Sequence, residues 1–244
     1  MKKPLNIQAI EKQHLDVNGA ITVHSIFYTI QGEGPFTGHP AVFVRLAGCN
    51  LRCPSCDTDY TSNAVNYTAE GVVTQIERRH QNKSCPGFKP LIVITGGEPF
   101  RQNIAKLVRI LCSKGYKVQI ETNGSLYVED MPWDSITIVC SPKTGKIAPL
   151  LAPHIDAYKY VLSADSMDAN DGLPVKALDH TASPKVARPV FIEGRQPKPI
   201  YLQPMDPGVG KAEEYASNLQ ACIRSCMKHG YILQIQTHKI IGLE

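Results

Sequence analysis

The chain has 244 residues, 43% of them hydrophobic and 20% charged, and its 26 Lys and Arg against 22 Asp and Glu leave a net charge of +4. That balance supports a buried core, excludes an intrinsically disordered chain, and gives no concentrated basic field pointing to nucleic acid. The opening Met1-Lys2-Lys3-Pro4-Leu5-Asn6 lacks the apolar stretch of a secretory signal, and no run nears the roughly 18 apolar residues of a spanning helix. The expectation is a cytoplasmic protein with no membrane partner. Its eight cysteines then argue against a disulfide framework.

Residues 1–20 are polar and irregular and read as a loosely held arm, with residues 21–244 as one domain. Ile21 to Ile30 alternates as a strand and ends at the Gly-rich turn Gln31-Gly32-Glu33-Gly34-Pro35. The apolar run Ala41 to Leu46 predicts a second strand, and directly after it come Cys49, Cys53 and Cys56 at C-x3-C-x2-C spacing. Thr68-Ala69-Glu70 opens a helix reaching about His80, with Val72, Val73 and Ile76 on one face.

Leu91 to Thr95 is a continuous apolar run, as suits a strand buried on both faces of a parallel sheet, and it ends in Gly96-Gly97-Glu98-Pro99. A helix over Asn103 to Lys114 follows, then strands over Lys117 to Glu121 and Ser135 to Cys140. These close on Thr122-Asn123-Gly124 and Ser141-Pro142-Lys143. Further strands are expected at Ala157 to Leu162, Pro199 to Leu202 and Ile232 to Gln236, with a helix over Ala212 to His229. Residues 163–199 are rich in Pro and charge and read as an irregular excursion.

Strands alternate with helices, and polar Gly-rich motifs recur where strands end, the place where a βα barrel builds its active site. The expected barrel takes about six of these strands, fewer than a closed barrel needs. The expected fold is therefore α/β, a partial, open βα barrel. Cys112, Cys140, Cys222 and Cys226 fall on apolar faces and read as core residues, and Cys85 as a free thiol in a loop.

A structural zinc site takes four protein ligands, whereas Cys49, Cys53 and Cys56 stand alone at a strand end. Three thiolates on a four-iron cube leave one iron open to a small molecule, which points to chemistry. A zinc-binding interaction module is the non-enzymatic alternative. The cysteine spacing together with Thr95-Gly96-Gly97-Glu98-Pro99 resembles the radical S-adenosylmethionine (SAM) superfamily. That resemblance implies a [4Fe-4S] cluster whose open iron chelates SAM and whose electron releases a 5′-deoxyadenosyl radical. Within the superfamily, an activase that makes a glycyl radical on a partner protein is the enzymatic alternative.

Tyr28 to Gly34, Cys56-Asp57-Thr58, Ile94 to Pro99, Glu121 to Gly124, Ser141-Pro142-Lys143, Gln203-Pro204-Met205-Asp206 and Gln236-Thr237-His238-Lys239 together resemble the 7-carboxy-7-deazaguanine synthase (QueE) family. This implies conversion of 6-carboxy-5,6,7,8-tetrahydropterin to 7-carboxy-7-deazaguanine with loss of ammonia, in queuosine and 7-deazapurine biosynthesis. It also implies Mg2+, an electron donor such as flavodoxin or ferredoxin, and a homodimer.

The same resemblance assigns roles by position. Ile30, Gln31, Gly32 and Glu33 would bind the pterin edge, Arg45 its carboxylate, and Thr95, His238 and the terminal Glu244 further parts of the substrate. Ser55, Asp57, Gly97, Glu98, Glu121, Ser141, Pro142, Lys143 and Gln203 would hold SAM, with Thr58 the magnesium position. No protein acid or base is implied. Ser55 stands where superfamily members often carry a bulky apolar residue, so adenine packing must come from elsewhere or be weaker.

Overall fold

A computed structural model describes residues 6–16, 19–80, 85, 87–179 and 185–243. Its frame is a single nine-stranded sheet in the order β3-β1-β2-β4-β5-β6-β7-β8-β9. The strands are β1 (Ile21–Ile30), β2 (Pro40–Leu46), β3 (Val65–Tyr67), β4 (Leu91–Gly96), β5 (Val118–Thr122), β6 (Ile136–Cys140), β7 (Ala157–Leu162), β8 (Ile200–Pro204) and β9 (Ile232–Leu233). From β2 to β9 every neighbouring pair is parallel, and β1 joins β2 and β3 antiparallel at one edge. The two ends of the sheet do not pair, so the barrel is open.

The short β3 strand carries no sequence signal of its own, because its side chains are mostly exposed. β9 is two residues long, shorter than the expected run to Gln236, and the chain beyond it turns into a one-turn helix α4 (Thr237–Ile240). Helices α1 (Ala69–Arg79), α2 (Ala105–Ser113) and α3 (Ala212–His229) cover the sheet. Thr68 begins α1 as its side chain accepts from Gly71 N, a capping bond that satisfies one of the free amides of the first turn.

The core follows the apolar periodicity. Ile92 and Ile94 of β4, Ile120 of β5 and Ile138 of β6 are fully buried, and Ile76, Leu107 and Leu111 reach them from the helices. Cys140, Cys222 and Cys226 are buried and free, Cys112 is half-buried, and Cys85 is exposed.

Two segments differ from their sequence reading. Residues 6–16 have no regular structure, yet they are pinned rather than loose, with Ile10 bridging Cys49 and His14 bridging Gln102. Residues 163–179 and 185–199 are irregular as expected, but ordered by ion pairs of Arg188 with Asp168 and Asp171, and by the Tyr160 hydroxyl donating to Ala187 O. This excursion crosses to the cysteine loop, where Ser55 N donates to Leu178 O and Ser55 Oγ to Asp179 Oδ2. The sequence reading had no role for it.

Candidate active site

The turns after the parallel strands and the end of β1 surround one cavity of about 440 Å3, a volume suited to a cofactor-sized ligand. Cys49, Cys53 and Cys56 all line it, the first two buried and the third half-buried. Burial pushes the Cys49 thiol up to about 12 and the Cys53 thiol up to about 11. Metal coordination must overcome that cost by displacing the protons. Leu51 N donates to Cys49 Sγ at 3.4 Å, an amide-to-sulfur bond already formed.

Gly97 lies against the same loop. A Cβ there would stand 2.1 Å from Gly48 O, so the approach of the β4 turn to the cysteine loop needs a residue without a side chain. Ser141 and Lys143 line the cavity beside the thiols, with Lys143 Nζ donating to Ser141 O and Oγ. Burial lowers the Lys143 ammonium from its ordinary range, partly offset by Cys53. Gln203, at the end of β8, is buried with its Oε1 unpartnered, an acceptor aimed at nothing the protein supplies.

These features fit an iron–sulfur cluster with a polar small molecule beside it: three soft thiolates on one loop, a side-chain-free approach, and an orphaned buried acceptor. Among the described residues no group of three His, Cys, Asp or Glu is placed to hold a single metal ion.

A second group of polar residues shares the cavity. Arg45 projects from β2 with its guanidinium 5.4 Å from the Phe27 ring centroid and its buried Nε unpartnered. A fork-shaped cation with an unused donor suits a carboxylate. Lys159, in the middle of β7, is paired with Glu33 and lies 3.7 Å from Glu121. Glu121 also accepts from Gln31, Gln119 and Thr95, the first and last of which are residues expected for the substrate.

Electrostatics keep this network charged. Burial alone would raise the Glu33 carboxyl, but Lys159, with help from Gln236 and His238, outweighs it and holds the group at about 2. Burial would lower the Lys159 ammonium, but Glu121, Glu33 and Asp57 raise it above its ordinary value. For Glu33 the folded value lies below the ordinary 4.5, so its contribution to stability is present above that pH and lost as pH falls towards about 2. In cluster-free protein, the gap in urea midpoint between the parent chain and Glu33→Gln is expected to stay open at neutral pH and to close over that acid window. A gap that persists to the acid end would contradict the pairing.

The C-terminal segment closes on the turn after β1. Gln236 Nε2 donates to Glu33 Oε1 at 2.8 Å, Gln234 Nε2 to Gly32 O at 3.1 Å, and Thr237 N to Gly32 O at 3.3 Å. His238 lines the cavity, and burial lowers its imidazole from its ordinary range, partly offset by Glu33. Lys239 then ties α4 to the turn after β8 and to the cysteine loop, 2.7 Å from Asp206 and 3.5 Å from Asp57.

Most residues singled out from sequence line the cavity: Ile30, Ser55, Asp57 and Thr58 join those already described. Three do not. Gly32 packs behind His238, and Pro142 lies outside the lining. Glu98 is fully buried beneath the site, where its carboxylate accepts from Phe100 N, Thr122 Oγ1 and Asn123 N. Glu244 lies outside the described residues. Lys159 was missed, although a lone cation inside the apolar run Ala157–Leu162 is the signal that could have found it. Gln236, Lys239 and Asp206 stood inside quoted motifs but had no individual roles.

Comparison with known proteins agrees with this arrangement. Residues 44–132 match the radical SAM superfamily. A 7-carboxy-7-deazaguanine synthase from Rhodospirillum rubrum is 42% identical over 231 residues, covering 92% of this chain and 93% of the relative. That of Rickettsia prowazekii is 34% identical, over 92% of this chain and 89% of its own. The crystal structure of QueE from Escherichia coli superposes with a TM-score of 0.65 at 24% identity, covering 89% of this chain and 94% of that one, which supports the partial-barrel fold. With these identities spanning nearly the whole chain, and with the cysteine loop and strand-end motifs gathered in one cavity, the chain belongs to the 7-carboxy-7-deazaguanine synthase family of radical SAM enzymes.

Proposed function

We propose that the thiol-lined and polar parts of the cavity divide the labour of a lyase that forms 7-carboxy-7-deazaguanine from 6-carboxy-5,6,7,8-tetrahydropterin with loss of ammonia. The observation that carries this division is the sharing of one cavity by three cysteines and a guanidinium whose buried Nε has no protein partner. Cys49, Cys53 and Cys56 would hold the [4Fe-4S] cluster, and Ser141, Lys143, Gln203, Asp57 and the Gly97 turn would hold SAM. Together the bound cluster and SAM supply a radical able to remove hydrogen from the substrate.

The chain's own residues bind, orient and exclude water. Arg45 receives the pterin carboxylate through its free donor. Gln31, the Ile30 backbone and Glu33 address the pterin edge, and Lys159 and Glu121 keep that wall rigid by pairing within it. His238 offers a ring nitrogen to the substrate. α4 covers the mouth through Lys239, and no protein base is assigned to ammonia loss.

Thr58 donates to Asp57 Oδ1 at 3.4 Å and faces the cavity, so a hydroxyl and a carboxylate are available to a hard cation such as Mg2+ that keeps its other ligands from substrate and water. Thr58→Ala is expected to raise the Mg2+ needed for half-maximal turnover about tenfold while leaving the visible iron–sulfur absorption unchanged. Loss of that absorption would make Thr58 structural instead.

The reductant in this reading is a flavodoxin or ferredoxin, and the enzyme is a cytoplasmic homodimer. Among the described residues no helix is long and apolar enough to cross a membrane. The exposed Ile232 and Leu233 on edge strand β9 give a second copy an apolar edge to cover. Anaerobic incubation with the carboxy-tetrahydropterin, SAM and a reductant, followed by product mass, tests the activity. The expected mass is that of 7-carboxy-7-deazaguanine, and its absence would leave the reaction assignment without support.

A further inference from the structure

We propose that residues 6–13 are a strap that positions the cysteine loop from outside the cavity, with Asn6 and Gln8 as its positioning residues, and so governs how firmly the cluster is held and at what potential it accepts an electron. The strap bonds the loop at successive points. Asn6 N donates to Pro54 O at 3.0 Å, and Asn6 Nδ2 to Cys53 O and the Tyr60 hydroxyl, each at 3.2 Å. Gln8 Nε2 donates to Thr58 O at 3.0 Å, while its Oε1 accepts from Tyr60 N at 2.8 Å and Thr61 Oγ1 at 3.1 Å. Glu11 N donates to Cys49 O at 2.8 Å.

Apolar burial is not what holds this segment. Ile7 is 88% exposed and Ile10 58%, while the polar Asn6 and Gln8 turn inward. That is the reverse of the pattern expected where a strand packs by its greasy face. The inward amides instead meet carbonyls of a loop that lies outside the named strands and bridges this segment at Ile10 and Cys49, and such groups must be satisfied somewhere. Held carbonyls at Cys49 and Cys53 fix the backbone on which two of the three thiols stand. The turn that aims Leu51 N at Cys49 Sγ starts from the first of them. Hydrogen bonds to sulfur and solvent access are the levers a protein has on a cluster's potential.

A strap that merely stabilised the fold would behave differently from one that positions the loop, and Gln13 separates the two. Its Nε2 donates to Phe100 O and Tyr127 O, both at 2.8 Å and both away from the cysteine loop. The test uses the full chain with its cluster reconstituted anaerobically, in the parent, Gln8→Ala, Asn6→Ala/Gln8→Ala and Gln13→Ala forms. It measures the rate at which a chelator removes iron, and the midpoint potential by redox titration. The expected result is iron loss about tenfold faster in the double variant, an intermediate rate in Gln8→Ala, and a shifted potential in both, with Gln13→Ala matching the parent.

Gln8→Ala alone removes fewer contacts, so it still gives a reading if the double variant does not fold. The strap is overturned if the Asn6 and Gln8 variants keep the parent rate and potential, or if Gln13→Ala changes both readouts as much as they do. The inference rests on the cluster the family carries. A parent chain that takes up no iron overturns both, whereas an iron-loaded parent with unaltered variants overturns the strap alone.

Discussion

Replacing Lys159 with Met is expected to destabilise the protein by about 3–5 kcal/mol, because it leaves two buried carboxylates without their cation. Glu33 and Glu121 both face Lys159 Nζ, and side-chain exposures of 10% for Lys159, 12% for Glu33 and 16% for Glu121 leave little water to take over. Met keeps much of the volume and packing of the Lys stem, so the loss reports charge rather than a cavity. Urea denaturation of the cluster-free protein measures it. Glu33→Gln added to Lys159→Met is expected to recover part of the stability, since one of the stranded charges is then gone. Turnover is not expected to return in the double variant, because the wall that addresses the pterin edge has lost its organising pair. A loss below about 1 kcal/mol would place the triad among solvent-screened pairs and remove it from the account of the site.

Gly32→Ala is expected to lower kcat/KM about 100-fold, the scale of a misplacement of about 1 Å at a reacting site. A Cβ on residue 32 would stand 2.0 Å from His238 Nδ1 and 2.9 Å from His238 N. The ring could rotate away from the first contact, but the second is backbone, so the C-terminal segment must move. That segment is held by Gln234 and Thr237 on Gly32 O and by Gln236 on Glu33, so its movement also loosens the turn after β1. Iron content and visible absorption should stay near parent levels, since the segment meets the cysteine loop through the Lys239–Asp57 pair at 3.5 Å, beyond the three thiols. Near-parent turnover would show that His238 does not need its present position.

What was legible in the sequence depended on local patterns. The Thr68 cap, the fully apolar β4 run and the strand-end placement of Cys49, Cys53 and Cys56 each follow from neighbours within a few residues, and the structure has them where the pattern put them. Motif order along the chain also sufficed for the family, because those motifs sit at successive strand ends. What holds residues 6–16 left no local signal for a physical reason: the partners of Asn6 and Gln8 include backbone groups some 50 residues away, and a carbonyl's need for a donor leaves no trace in side-chain periodicity.

The same limit hid Lys159, whose role depends on Glu33, 126 residues distant, and Glu121. It also hid the partner of Ser55, which is Asp179, brought over by an excursion with no periodicity of its own. By itself the sequence determined the open parallel barrel, the cysteine loop at a strand end and the family, all of which rest on short-range spacing and chain order. Only the tertiary structure decided which charges neutralise one another, that Glu98 is buried and hydrogen-bonded beneath the cavity, and that Asn6, Gln8 and Glu11 bond to the cysteine loop, because burial and hydrogen-bond satisfaction are properties of distant segments brought together.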